Sequence, residues 1–283
     1  MANTSNATIR QALNKYRTGP PPSKGSGEWV QHPQFESTRD LLARSFAGTD
    51  TVSGNPEFDW AAEHLLESEK SWYTREQHRQ TVSFLLGFHI YNFFQKNTLV
   101  VSRRMTGDGS GDLASAAIIV EYNKKDESRI INKIVDGWNA VRAFFKIMTN
   151  DGLPELLSNS KHKKQAKHLE KKGQGLIKTM EEVHKTDGPD ETHWYVAIVG
   201  VGPEHKGKGY GGELMKKVGD LADDAGIMCY LECGTKNKAF YEKMGYREYS
   251  KHLIEDPVDP STPAYEIYAM VRDPLPPARA KAY

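Results

Sequence analysis

Val201-Gly-Pro-Glu-His-Lys-Gly-Lys-Gly-Tyr-Gly-Gly212 lies between an apolar run, His193 to Val201, and a segment in which Leu214, Met215, Val218 and Leu221 recur at helical spacing. The run before it is too short for a helix and is bounded by Pro189 and Pro203, so it reads as a buried strand. A strand therefore feeds a glycine-rich turn that opens a helix, and Gly226 ends that helix. Such a turn can aim several backbone N–H groups at one point, where the helix dipole adds positive potential. A pyrophosphate is the natural guest. Glycine suits these positions because close approach of the backbone leaves no space for side chains.

Three phosphate-binding patterns compete for this loop. A P-loop needs Gly-Lys followed by Ser or Thr, and Gly207-Lys208 is followed by Gly209, so the magnesium ligand is missing. A kinase glycine loop needs long downstream catalytic segments, and only 71 residues follow Gly212. The dinucleotide fingerprint is the serious rival. Gly207, Gly209 and Gly212 satisfy G-x-G-x-x-G, and Glu232 lies 20 residues further on, where a ribose-binding acid is expected. That motif opens a large parallel sheet, whereas the chain after Glu232 has space for one helix and two strands. An NAD(P)-binding protein stands as the less favoured alternative.

Outward from the loop, Ile227 to Glu232 reads as a second buried strand and Asn237 to Met244 as a short helix ended by Gly245. Tyr246 to Leu253 and Tyr265 to Val271 read as closing strands. Upstream, Ser37–Thr38 caps a helix through Leu41, Leu42 and Phe46 that Gly48 closes. The box Thr74-Arg-Glu-Gln77 opens an amphipathic core helix carrying Val82, Leu85, Leu86, Ile90, Phe93 and Phe94. Thr98 to Arg103 and Ala114 to Tyr122 form a hairpin across Thr106–Asp112, and Ile130 to Met148 is helical in pattern. Lys161 to Lys172 is a Lys-rich run read as a solvated helix face, with a patch steering an anionic cofactor as the sharper alternative. Residues 1–28, broken by glycine and proline, read as a flexible arm with a short helix at Thr8–Tyr16, and ordered structure is expected from near Phe35. The tail 274–283 is expected to be flexible.

The chain has 283 residues, of which 38% are hydrophobic, enough for a sizeable core. Lys+Arg 38 against Asp+Glu 37 removes the simplest electrostatic case for a nucleic-acid partner. Cys229 and Cys233 are too few for a disulfide framework and lack zinc spacing. The apolar stretch Phe84–Phe94 is too short to span a bilayer, and no secretory signal is visible. The expectation is a cytoplasmic protein with no metal, no nucleic-acid partner and no membrane partner, as a monomer or homodimer.

Pro203-x-x-Lys206-Gly-x-Gly209-x-Gly211 resembles the acetyl-coenzyme A loop of the GNAT N-acetyltransferases, with Lys206 where that family has Arg or Gln. Leu231-Glu232 and Asn237-x-x-Phe240-Tyr241-Glu-Lys-x-Gly245-Tyr246 resemble its next strand and helix. With His193-Trp194-Tyr195 ahead of the loop, the block is most similar to the puromycin- and xenobiotic-acetylating branch. The resemblance covers His193 to Tyr246 and implies an α/β (α+β) fold: a mixed sheet of six to seven strands flanked by helices, with the cleft at a V-shaped splay between two parallel strands. One domain over 29–273 is implied, with a helical, Lys-rich insertion around 124–188.

The implied activity is direct transfer of acetyl from acetyl-CoA to the primary amine of a small molecule, in a ternary complex. A protein or peptide amine, or a non-catalytic acyl-CoA-binding module, are the alternatives. The resemblance places acetyl-CoA against Val199, Val201, Lys206, Gly207, Lys208, Gly209, Tyr210, Gly211, Gly212, Asn237, Phe240 and Tyr241. The Val201 N–H would donate to the thioester oxygen, and Tyr241 would protonate the leaving thiolate. Strand alternation back from Val201 puts Val199, Ala197, Tyr195 and His193 on one face, barring a bulge. His193 and Glu232 are the candidate bases, and Tyr195 and Glu232 the candidate acceptor contacts.

Overall fold

The computed structural model describes residues 27–31, 35–69, 71–95, 98–105, 112–123, 142, 144–149, 151–256, 258–259, 261 and 264–276. The expected helix at 8–16, the tip of the 106–112 loop and most of the expected 130–148 helix lie outside them, although 144–149 is helical.

Seven strands form one sheet: β1 (Gly27–Gln31), β2 (Thr98–Met105), β3 (Leu113–Tyr122), β4 (His193–Val201), β5 (Cys229–Gly234), β6 (Arg247–Ile254) and β7 (Tyr265–Arg272). Their order is β1-β2-β3-β4-β5-β7-β6. Among the described residues, only the β4–β5 pair is parallel. A single parallel pair is not the doubly wound sheet to which the dinucleotide fingerprint belongs; the sheet is mixed, with its parallel pair at the centre, as the resemblance implies.

The longer helices among the described residues are α1 (Phe35–Ala47), α2 (Pro56–Ser68), α3 (Arg75–Gln95), α4 (Lys163–Asp187), α5 (Tyr210–Ala225) and α6 (Thr235–Lys243). Alternate residues of the central strands feed two cores, so those strands read as unbroken apolar runs. Leu99, Val101, Ala117, Ile119, Trp194 and Val196 meet Leu214, Met215 and Val218 of α5. Val100, Ile118 and Ile198 meet Leu42 and Phe46 of α1 and Val82, Leu86 and Ile90 of α3 on the opposite face. The far half of that second face is covered by α4, whose Val183 packs on Tyr230, Ala269 and Val271 and whose Leu176 packs on Ile254 and Ile267.

The capping box at Thr74 forms as expected: the Thr74 N–H donates to Gln77 Oε1 and the Gln77 N–H to Thr74 Oγ1. Three expectations shift. Order begins earlier than Phe35, because Gly27–Gln31 pairs antiparallel with β2 as an edge strand. The first helix starts at Phe35, so Ser37 and Thr38 lie inside it. Helix α2 was not anticipated, although Asn55 caps it by accepting from Glu57 and Phe58 N–H, with Pro56 at its start.

The Lys-rich run is largely the solvated face it was read as, with Lys161, Lys163, Lys164, Lys167 and Lys171 exposed. Lys172 departs from it. Its ammonium is buried, 2.7 Å from Asp256 and over the Trp60 ring.

Candidate active site

Strands β4 and β5 pair at Trp194↔Cys229 and Tyr195↔Tyr230 and then separate. The V this opens is deepened by a bulge: Ile118 faces Ile198 but Ile119 faces Val196, so Ala197 is an extra residue in β4. The bulge also changes the phase of the strand. Trp194, Val196 and Val199 pack toward α5. Tyr195 packs with Val183 and Tyr230 on the α4 side, and Ile198 packs toward α1. The expected single face holding His193, Tyr195, Ala197, Val199 and Val201 is therefore split, with Val199 and Val201 on the opposite side from Tyr195.

At the mouth of the V is a cleft of about 390 Å³. Val199, Gly200 and Val201 line one wall, and Lys206, Gly207, Gly209, Tyr210, Gly211 and Gly212 form its end. Asn237, Phe240 and Tyr241 come from α6. Ser45 and Phe46 of α1, Gly54 and Asn55 before α2 and Pro56 at its start close it from the other side. Gly207 and Gly209 take φ of 76° and 83°, a left-handed turn that a side chain would strain. A Cβ at Gly211 would come 3.3 Å from Val201 Cγ2 and enter the floor of the cleft. The first-turn amides of α5 have no partner within the helix. A bare backbone cradle with those amides facing it fits the pyrophosphate arm of an acyl-CoA.

Individual residues differ from expectation in instructive ways. Lys208 is exposed and does not line the cleft. Lys206 reaches across it, and its ammonium donates to the Ser53 carbonyl. The Tyr210 ring is buried beneath the Arg103 guanidinium, 3.8 Å from it, so its phenol is core and only its backbone faces a ligand. The Val201 N–H donates to Ser45 Oγ at 3.0 Å.

Tyr241 packs edge-on against Phe240 at 5.1 Å. Burial, with Cys233 and Glu57 nearby, pushes its pKa well above the ordinary phenol value, so it stays protonated at neutral pH.

Glu232 lies on β5 just beyond the last β4–β5 pair. Burial pushes its pKa up to about 7, opposed by the Tyr195 and Tyr230 hydroxyls beside it. His193 is sealed. It is fully buried at the closed end of the V, its Nδ1 donates to the Glu191 carbonyl at 2.8 Å and its Nε2 pairs with His184 Nε2 at 2.9 Å. Burial lowers its pKa. The structure does not bring His193 to the cleft.

One acidic residue escaped the sequence reading. Glu57, in the first turn of α2, accepts the Gly234 N–H at 2.8 Å, and its Oε2 has no hydrogen-bond partner. Burial raises its pKa. A side chain at Gly234 would collide with the Tyr265 hydroxyl and this carboxylate, which explains the glycine at the end of β5. The Asn55-Pro56-Glu57 start signal marked the helix; nothing local marked its meeting with β5.

Among the described residues no group of His, Cys, Asp and Glu is placed to hold a metal ion, and no helix is long and apolar enough to cross a membrane.

Residues 173–246 match the model of the Acetyltransferase (GNAT) family. Solved structures similar to the chain include arylalkylamine N-acetyltransferase 2 from Aedes aegypti, at 13% identity over 87% of this chain and 98% of that one, with a TM-score of 0.45. Another is Naa20 from Chaetomium thermophilum, at 14% identity over 87% and 86%, with a TM-score of 0.40. A third is the polyamine N-acetyltransferase of Drosophila melanogaster, at 15% identity over 61% and 74%, with a TM-score of 0.37. The matched segment contains the splayed strand pair, the glycine loop and the helix bearing Tyr241. Over those residues the chain is similar to the GNAT acetyltransferases.

Proposed function

We propose that the protein transfers acetyl from acetyl-CoA, the cosubstrate that similarity implies, to the primary amine of a small molecule, directly and in a ternary complex. The observation that carries this reading is convergence. The glycine loop, Val201 and Tyr241 line one cleft; Glu232 stands on β5 beyond the last β4–β5 pair, outside the residues that line it. The loop and Asn237 hold the cosubstrate. Glu232, titrating near neutrality, takes the proton of the acceptor ammonium directly or through a water. The freed amine bonds to the acetyl carbon, the C–S bond breaks, the thiolate takes the Tyr241 proton, and the surplus proton on the new amide nitrogen passes to the Tyr241 phenolate.

The second face of the sheet supports a small acceptor. Helices α2 and α4 pack on each other there through Ala61, Ala62, Leu65 and Leu169, and Trp60 and Leu176 continue that cover over β6 and β7. This walls the acceptor side rather than leaving an open groove. Of the three residues that carry the likeness to the puromycin branch, His193 and Trp194 are fully buried. Tyr195 packs with Val183 and Tyr230 and does not line the cleft.

Thiol release from acetyl-CoA across a panel of alkyl-, arylalkyl- and polyamines, with mass detection of the acetylated product, tests the proposal. Amine-dependent release with matching product supports it. Saturable acetyl-CoA binding with no transfer to any amine, including peptide N-termini, would replace it with a binding module.

A further inference from the structure

The Val201 amide, the group assigned to the thioester oxygen, already holds a partner. Ser45 Oγ accepts its N–H at 3.0 Å. Ser45 lies on the last turn of α1, is 6% exposed and borders the cleft. Its approach depends on a missing side chain: a Cβ at Gly200 would sit 3.1 Å from Ser45 Oγ and 2.6 Å from Leu42 Cδ2. The contact therefore joins α1 to the open end of β4 at the place where acetyl transfer would occur.

A carbonyl oxygen that takes the Val201 N–H must occupy the place of Ser45 Oγ. A serine has three staggered positions for its hydroxyl and is both acceptor and donor. When Oγ gives up the amide, its own O–H can turn to the same oxygen. We propose that Ser45 is a second hydrogen-bond donor to the thioester oxygen, acting beside the Val201 amide. The inference rests on the acetyl-CoA reading of the cleft. As the amine nitrogen bonds to the carbonyl carbon, the C=O π pair moves onto oxygen, where N–H and O–H both donate to it. Return of that pair expels the thiolate, which takes the Tyr241 proton, and the Tyr241 phenolate is restored by the surplus proton of the new amide nitrogen. Two fixed donors aimed where the charge develops are worth more than the same groups in water.

Difference infrared spectroscopy of acetyl-CoA isotopically labelled at the carbonyl carbon reads the donor directly and needs no acceptor. Bound to the wild type, the carbonyl stretch should fall below its value in solution. In Ser45→Ala it should move back toward that value, and in Ser45→Thr it should stay low. Affinity for CoA, which has no thioester carbonyl, should be the same in all three. With an active amine from the panel, Ser45→Ala should lose about 10²-fold in kcat. An identical carbonyl frequency in wild type and Ser45→Ala would overturn the proposal. So would equal losses in the Ala and Thr variants together with weakened CoA binding, which mark a packing role. Absence of saturable acetyl-CoA binding by the wild type would instead remove the reading of the cleft, and the Ser45 proposal with it.

Discussion

Burial raises the pKa of both Tyr241 and Glu232, and in the proposed mechanism the same shift suits them to opposite tasks. A phenol held protonated is a dependable donor; a carboxyl brought to about 7 is a usable proton acceptor at neutral pH. Tyr241→Phe should lower kcat by about 10²–10⁴ with acetyl-CoA affinity nearly unchanged, read from steady-state kinetics beside a binding titration. The wild-type rate should climb with pH through about 7 as Glu232 ionises, and Glu232→Gln should lose that limb along with most of the activity. The same shift has a cost in stability. Glu232 binds its proton more tightly folded, near 7, than unfolded, near 4.5. Its folded state is therefore favoured at low pH, and that advantage is lost as pH rises through the folded value. Glu232→Gln should accordingly be more stable than wild type at pH 8, by on the order of 1–3 kcal/mol in denaturant titrations, and the gap should shrink toward pH 5.

The glycine loop and the elements around it were legible because their signals are local. A proline-bounded apolar run, left-handed glycines and a helical apolar period occupy contiguous residues, and β4, α5, β5 and α6 follow with ends displaced by two residues or so. Gly211→Val should abolish acetyl-CoA binding while leaving the circular dichroism spectrum intact, because the new side chain would enter the floor beside Val201 and Phe240. Bound acetyl-CoA in that variant would take the loop out of the site. What escaped the sequence is non-local. The bulge at Ala197 exists only against its partners Ile118 and Ile119, and without it the alternation from His193 to Val201 assigns faces wrongly. Ser45 reaches Val201 and Glu57 reaches Gly234 across more than half the chain. No spacing rule connects such pairs. Strand β1 was missed because its short, polar sequence carries no period, and its order comes from pairing with β2 at the sheet edge.

At the scale of the molecule, α4 seals the half of the second face that α1 and α3 leave uncovered, and one buried ion pair fixes it there. Lys172 and Asp256 side chains are 4% and 1% exposed at 2.7 Å. Lys172→Ala would leave a buried, unpaired carboxylate and should cost about 3–5 kcal/mol, whereas replacing both by apolar or neutral isosteres should cost far less. Chemical denaturation of the single and double variants checks this. If α4 forms the acceptor wall, the single variant should also raise KM for the amine more than for acetyl-CoA. The central claim, a cleft built for acetyl-CoA at the splay of β4 and β5, is tested most directly by calorimetric titration of the protein with acetyl-CoA, with NADH as control. The account predicts saturable acetyl-CoA binding that Gly211→Val removes, and no response to NADH. Heat on adding NADH and none on adding acetyl-CoA would contradict it.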